Sequence, residues 1–149
     1  MQQLIEFASN HPFLVGSLVL LVALVIANEA RLRAGGAQAS PADAVRLIND
    51  GATVVDIRGA EPFAAGHIAG ARNVPLAELG DQIDAIAKKK RRPVLVYCDT
   101  GGQSVKAAAA LRRASVEQVF HLKGGLVAWQ RENLPLETGA PKKKTRKGA

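Results

Sequence analysis

One cysteine, Cys98, stands in 149 residues. A single thiol excludes an intramolecular disulfide and any zinc site built on several thiolates. It also leaves Cys98 without a resolving partner in the same chain, and a lone free thiol suits a reducing compartment. Aromatic residues are scarce as well, at 4%, so a core must rest on Val, Ile, Leu and Ala. Neither basic run, Lys88 to Arg92 or Lys142 to Lys147, has an aromatic residue among its charges. That removes the stacking platform of a single-stranded nucleic-acid binder, and no nucleic acid is expected as a partner. Lys and Arg are absent from Met1 to His11, where Glu6 stands instead. A cleaved signal peptide wants positive charge in that position.

What is present begins with an apolar segment. Phe13 to Ala27 is 15 residues without a charge, and the uncharged stretch runs back to Phe7, making 21 residues. At about 1.5 Å per residue such a helix reaches roughly 31 Å, close to the hydrocarbon thickness of a bilayer. Pro12 suits the first turn of a helix, where its missing N–H costs nothing. The signal-peptide reading is the rival. Its best cleavage candidate, Ala37-Gln38-Ala39, lies past Arg31 and Arg33, which is a poor setting for cleavage. Arginines on the C-terminal side place the N-terminus outside and the bulk of the chain in the cytoplasm. The expectation is a single-pass protein of the cell inner membrane.

The organisation that follows is a short segment over 1–11, a transmembrane anchor over 12–30, a Gly- and Ala-rich linker over 31–39, a folded domain over 40–138 and a basic disordered tail over 139–149. The formal net charge is +7, and the five basic residues of Lys142 to Lys147 account for all but +2 of it. Solvated faces and a frayed end are the plain readings of the two basic runs. Contact with anionic lipid or RNA is the alternative for each run.

Within the domain, helices and strands alternate. Ser40 and Pro41 open a helix that Gly51 closes. Thr53 to Ile57 is a short β-branched strand, and a glycine-punctuated stretch follows with one helical turn near Phe63 and a brief strand at Asn73 and Val74. Glu78 to Lys90 is helical. Val94 to Cys98 is a continuous apolar strand of the kind buried on both faces of a parallel sheet. Ser104 to Ala114 is a helix, Gln118 to Leu122 a strand, and Gly124 to Glu132 a last helix. This order predicts an α/β fold with a parallel sheet between two helical layers. Ligands in such folds bind at the carboxyl ends of the strands, where Cys98 lies.

The loop after Cys98 reads Asp99, Thr100, Gly101, Gly102, Gln103, Ser104. Gly101 and Gly102 let the backbone curl so that several N–H groups face the sulfur beside the positive end of a helix dipole. Gln103 and Ser104 add side-chain donors. A cradle of this kind stabilises a thiolate and an anion delivered to it. A buried inert cysteine is the alternative that these residues leave open.

Three motifs in order resemble those of the rhodanese homology domain family, over about residues 40 to 138. They are VVDIRGAEPFAAGHIAGARNVP (Val54 to Pro75), YCDTGGQS (Tyr97 to Ser104) and LKGGLVAWQRENLPLETG (Leu122 to Gly139). The layout also resembles that of membrane-anchored, single-domain bacterial rhodanese-like proteins. The resemblance implies the three-layer rhodanese fold and a sulfurtransferase that needs no cofactor or metal. Its nucleophile carries over to Cys98, and its persulfide-holding loop to Asp99 through Ser104. The donor is then thiosulfate or a persulfide, small or protein-borne, and the acceptor is an external thiophile. The loop has the length of the sulfurtransferases rather than the longer one of related phosphatases. Asp56 and Arg58 are expected to brace the loop by an ion pair or turn hydrogen bonds, with His67 structural and Trp129 in the core. His11 and His121 fit no ligand pattern.

Two departures shape the expected activity. Gln103 stands where many active members carry Arg, and Asp99 sets a negative charge beside the thiol. Both oppose a thiosulfate dianion, so activity with thiosulfate should be weak. A membrane-tethered interaction module that keeps the fold without catalysis, docking on a membrane-protein partner, is the alternative from another functional class.

Overall fold

The computed structural model describes residues 10–34, 37–88 and 92–140, with side chains omitted for 29–34. The expected basic tail beyond Ala140, and Lys89 to Arg91 of the first basic run, lie outside these residues, as do the side chains of Arg31 and Arg33. The chain divides into two units, residues 1–34 and 35–149.

The first unit contains helix α1, Pro12–Ala34, 23 residues long. Phe13, Leu14, Leu18, Val19, Leu20, Leu21, Leu24, Val25 and Ile26 are all exposed. These positions occupy every face of the helix, so it has no polar side among them. Among the described residues no helix is long and apolar enough to cross a membrane. The described part of α1 ends its apolar run at Ala27, short of the roughly 20 apolar residues a bilayer asks for.

The second unit opens with strand β1, Ala37–Ala39, inside the stretch expected to be a linker. Helix α2, Pro41–Asn49, follows, with Ser40 as N-cap accepting the Asp43 N–H at 3.2 Å. Next come β2 (Thr53–Asp56), α3 (Ala60–Ala65), β3 (His67–Ile68) and β4 (Arg72–Asn73). A 3-10 turn, Leu76–Glu78, leads into α4 (Leu79–Ala87). Then follow β5 (Val94–Tyr97), α5 (Gly102–Arg113), β6 (Val119–Leu122), α6 (Gly125–Arg131) and β7 (Leu136–Glu137). The main sheet has the order β1-β6-β5-β2-β4 and is parallel throughout, while β3 and β7 form a small antiparallel pair.

Alternation along the strands sorts the core into two layers. Val55, Ile57, Val94, Val96, Cys98 and Val119 face α4 and α5, where Ile86, Ala107, Ala108 and Leu111 meet them. Val54, Leu95, Tyr97 and Leu122 face the other way, against Ala44 of α2 and Leu126 and Trp129 of α6. The predicted α/β architecture, a parallel sheet covered by helices on both sides, is thus present. Its central strand, β5, ends at the cysteine.

Candidate active site around Cys98

Cys98 follows the last residue of β5 and is 3% exposed. Its sulfur accepts the Gly101 N–H, with N to Sγ 3.1 Å. That bond requires the chain to turn back on itself within three residues. Gly101 makes the turn with φ +94°, a left-handed conformation that costs other residues more. Gly101 is also the N-cap of α5, so the helix starts at Gly102, two residues earlier than its sequence pattern suggests. Gly102 itself does not take a positive φ, and only the first glycine of the pair is used for its conformational freedom. Ser104 is fully buried, and its hydroxyl donates to the Gly101 carbonyl at 2.8 Å. It pins the turn and does not face a ligand. Asp99, Thr100, Gly102 and Gln103 of the loop are exposed, and so is Lys106 on α5.

The other side of the loop rests on α6. The Leu126 N–H donates to the Cys98 carbonyl at 2.9 Å and the Val127 N–H to the Asp99 carbonyl at 3.0 Å. Gly125 makes that approach possible, and Gly124 beside it leaves room for α6 itself. A Cβ on Gly125 would stand 2.5 Å from both of those carbonyl oxygens, and one on Gly124 would stand 2.7 Å from Ala128 Cβ. The sequence showed the pair only as part of a motif. Its function as the seat of the cysteine loop appears once the strands are assembled.

Asp56 and Arg58 meet as expected. Arg58 donates through Nε to both Asp56 carboxylate oxygens at 3.0 and 3.1 Å, and through Nη2 to Oδ2 at 2.7 Å. Its backbone N–H donates to Oδ1 at 2.9 Å. Nη2 reaches the Gly66 carbonyl at 2.7 Å, and Nη1 reaches Asp99 Oδ1 at 3.2 Å. The ion pair therefore touches the loop itself, through the carboxylate beside the thiol. Burial works against the guanidinium's charge. Hydrogen bonding and charge pairing with Asp56, with smaller help from Tyr97 and Asp99, outweigh it and hold Arg58 above its ordinary pKa. Asn73, on which sequence reasoning set no role, donates to the Arg58 carbonyl at 2.8 Å. The Tyr97 hydroxyl accepts the Ile68 N–H at 3.1 Å, and burial, reinforced by the Asp56 charge, keeps that phenol protonated far above its ordinary range.

His67 and Trp129 serve the core and not the thiol. His67 stacks on Phe63 at 3.7 Å between ring centres, and its Nδ1 lies 2.8 Å from the Phe63 carbonyl oxygen. Trp129 is buried and donates through Nε1 to the Pro135 carbonyl at 3.0 Å. Among the described residues, no group of three or more His, Cys, Asp or Glu is arranged for a metal ion.

Residues 40–132 match the rhodanese-like domain family. Over 142 residues the chain is 37% identical to the uncharacterized protein YibN of Escherichia coli K12, covering 93% of this chain and 99% of that one. It is 39% identical over 99 residues to the thiosulfate sulfurtransferase GlpE of Ectopseudomonas mendocina, covering 66% of this chain and 88% of that one. Among solved structures, the rhodanese-like domain of the Anabaena protein Alr3790 aligns with a TM-score of 0.58 at 32% identity, over 75% of this chain and 86% of that one.

Proposed function

The chain belongs to the rhodanese-like domain family, and from that footing we propose that it is a sulfurtransferase that carries sulfane sulfur on Cys98. The observation that carries this reading is the Gly101 N–H aimed at the Cys98 sulfur at 3.1 Å. A preorganised donor at that place favours negative charge on whichever sulfur occupies the loop, thiolate or persulfide. The amides from Asp99 to Ser104 complete the cradle, and Asp56 and Arg58 brace it.

The reaction has two halves. The Cys98 thiolate attacks the sulfane sulfur of a donor, and the donor's own sulfur–sulfur bond breaks. With thiosulfate, that electron pair leaves on sulfite, and Cys98 is left as a persulfide anion. A thiophilic acceptor, such as a thiolate, then attacks the outer sulfur, takes it, and returns Cys98 as thiolate. The alternation gives ping-pong kinetics. No cofactor enters either half.

We place the protein at the inner membrane, held by the N-terminal helix with its N-terminus outside and the rhodanese domain in the cytoplasm. What supports the placement is the apolar, outward-facing surface of α1 on every side, together with the uncharged sequence from Phe7 to Ala27. The lipid bilayer is then its standing partner, and a membrane protein is a candidate acceptor or docking partner.

The deciding experiment uses the full chain, reduced, in detergent micelles. It is incubated with thiosulfate or with glutathione persulfide and weighed intact, beside a Cys98→Ser control. A gain of one sulfur atom, absent in the control, is expected. No gain from either donor would leave the interaction module as the function of this fold.

A further inference from the structure

The Cys98 loop contains no basic residue, from Asp99 to Ser104, yet a guanidinium is fixed against it. Arg58 uses Nε and Nη2 on Asp56 and Nη2 again on Gly66, all within its own stretch of chain. Nη1 reaches out of that stretch to Asp99, 41 residues on. The Asp56 side chain is 0% exposed and that of Arg58 7%, whereas that of Asp99 is 65% exposed. The bracket of Arg58 on Asp56 is therefore the rigid part, and the Asp99 carboxylate is the part presented to an incoming molecule. One guanidinium faces two carboxylates, and the trio keeps one negative charge. Asp56, buried and holding three of the side-chain hydrogen bonds, has the larger share of the cation. The Asp99 charge is only partly cancelled. Asp99 is the residue next to Cys98, their Cα atoms about 3.8 Å apart, in a loop whose carbonyls the amides of α6 hold.

We propose that Asp99, held in place by Arg58, is the specificity-determining residue of this site, and that it selects alkyl persulfides over thiosulfate as sulfur donors. The proposal rests on the reading of Cys98 as the sulfur carrier. The two donors differ in what accompanies the sulfane sulfur into the loop. In thiosulfate it is bonded directly to a sulfonate, and a dianion must come within reach of Asp99. In a protonated alkyl persulfide its neighbour is a sulfur bearing carbon, and any carboxylates lie several bonds away. Cys98 thiolate attacks the terminal sulfur of R–S–SH, the sulfur–sulfur bond breaks, the electron pair leaves on R–S⁻, and Cys98 keeps the sulfur and its proton. No dianion crosses the rim. The uncancelled charge penalises the first donor and spares the second.

Bracing and selection separate in one variant. Asp99→Asn keeps an oxygen that can accept from Arg58 Nη1 and removes the charge. It should raise the ratio of kcat/KM for thiosulfate to that for glutathione persulfide roughly tenfold. Added salt should narrow the gap between wild type and variant. The same two donors giving the same ratio of rates in both proteins would overturn the proposal. A second measurement does not depend on turnover. In the Cys98→Ser background, calorimetry should find that Asp99→Asn tightens thiosulfate binding by a similar factor, and equal affinities would reject the selection. Absence of sulfur transfer from either donor in every protein would instead sink the carrier reading, so the two failures are distinct.

Discussion

Gly125 leaves no room for a side chain. A Cβ there would press on the carbonyl oxygens of Cys98 and Asp99, each 2.5 Å away, and φ is already +60°. The residues next to it, Leu126 and Val127, donate to those same carbonyls. Gly125→Ala must therefore push the cysteine loop off α6 or distort both. A loss of about 3 kcal/mol in urea denaturation is expected, along with slower sulfur uptake at Cys98. An unchanged midpoint would mean that the loop does not sit on this helix. Gly102, by contrast, lacks any such contact within 4 Å, and Gly102→Ala should change stability little. The contrast separates the glycine pairs of the two motifs. In one pair both members are pressed by neighbouring atoms, and in the other only the first takes a left-handed turn.

At the scale of elements, α1 and β1 show where sequence speaks and where it does not. Helix α1 reads as a helix from its apolar run, which needs no tertiary partner to be recognised, and the anchor role is our proposal for it. Its consequence is testable: the full chain should float with phosphatidylcholine vesicles and stay with them through carbonate washing. Leu18→Lys and Val25→Lys together should release it, since each cation in the apolar run costs about 2.5–3.5 kcal/mol. Wild-type protein recovered in the supernatant would reject the anchor. Strands β2, β5 and β6 were legible for a similar reason, their β-branched and apolar runs being long enough to mark burial. Strand β1 was not. Ala-Gln-Ala has no strand character of its own and becomes a strand because β6 offers an unpaired edge, to which Ala37, Gln38 and Ala39 register. The two-residue strands β3 and β7 are hidden in the same way. In the site, the Cys98 turn and the Asp56–Arg58 pair are local, spanning a few residues, and could be read from the chain. The Arg58–Asp99 contact and the seat on Gly125 join distant segments, so only the sheet order brings them together.

For the molecule as a whole, acidity finds one weak point in His121. It lies on β6, pairs in register with Gln38 and Val96, and is 7% exposed. Its Nδ1 has no hydrogen-bond partner among the described residues. Burial holds its pKa below the ordinary value. Well above pH 7, His121 is uncharged in the folded and unfolded chain alike and contributes no pH dependence. Below about 6.5, the ordinary histidine value, the unfolded chain takes up a proton that the folded one refuses. Stability then falls as pH falls, by at most about 1.4 kcal/mol per pH unit for this group. Urea midpoints at pH 7.5 and 5.5 should differ more for wild type than for His121→Gln, and equal differences would exclude the effect. The sheet order has a consequence of another kind. Strand β5 is flanked by β6 and β2 and covered by helices on both sides, whereas β1 and β4 are edges. In hydrogen–deuterium exchange, the amides of Val94 to Tyr97 should be released only by global opening, and those of β1 by local fraying. The thiol hangs from the strand that lets go last, so the molecule can loosen at its margins and still present Cys98 in its turn.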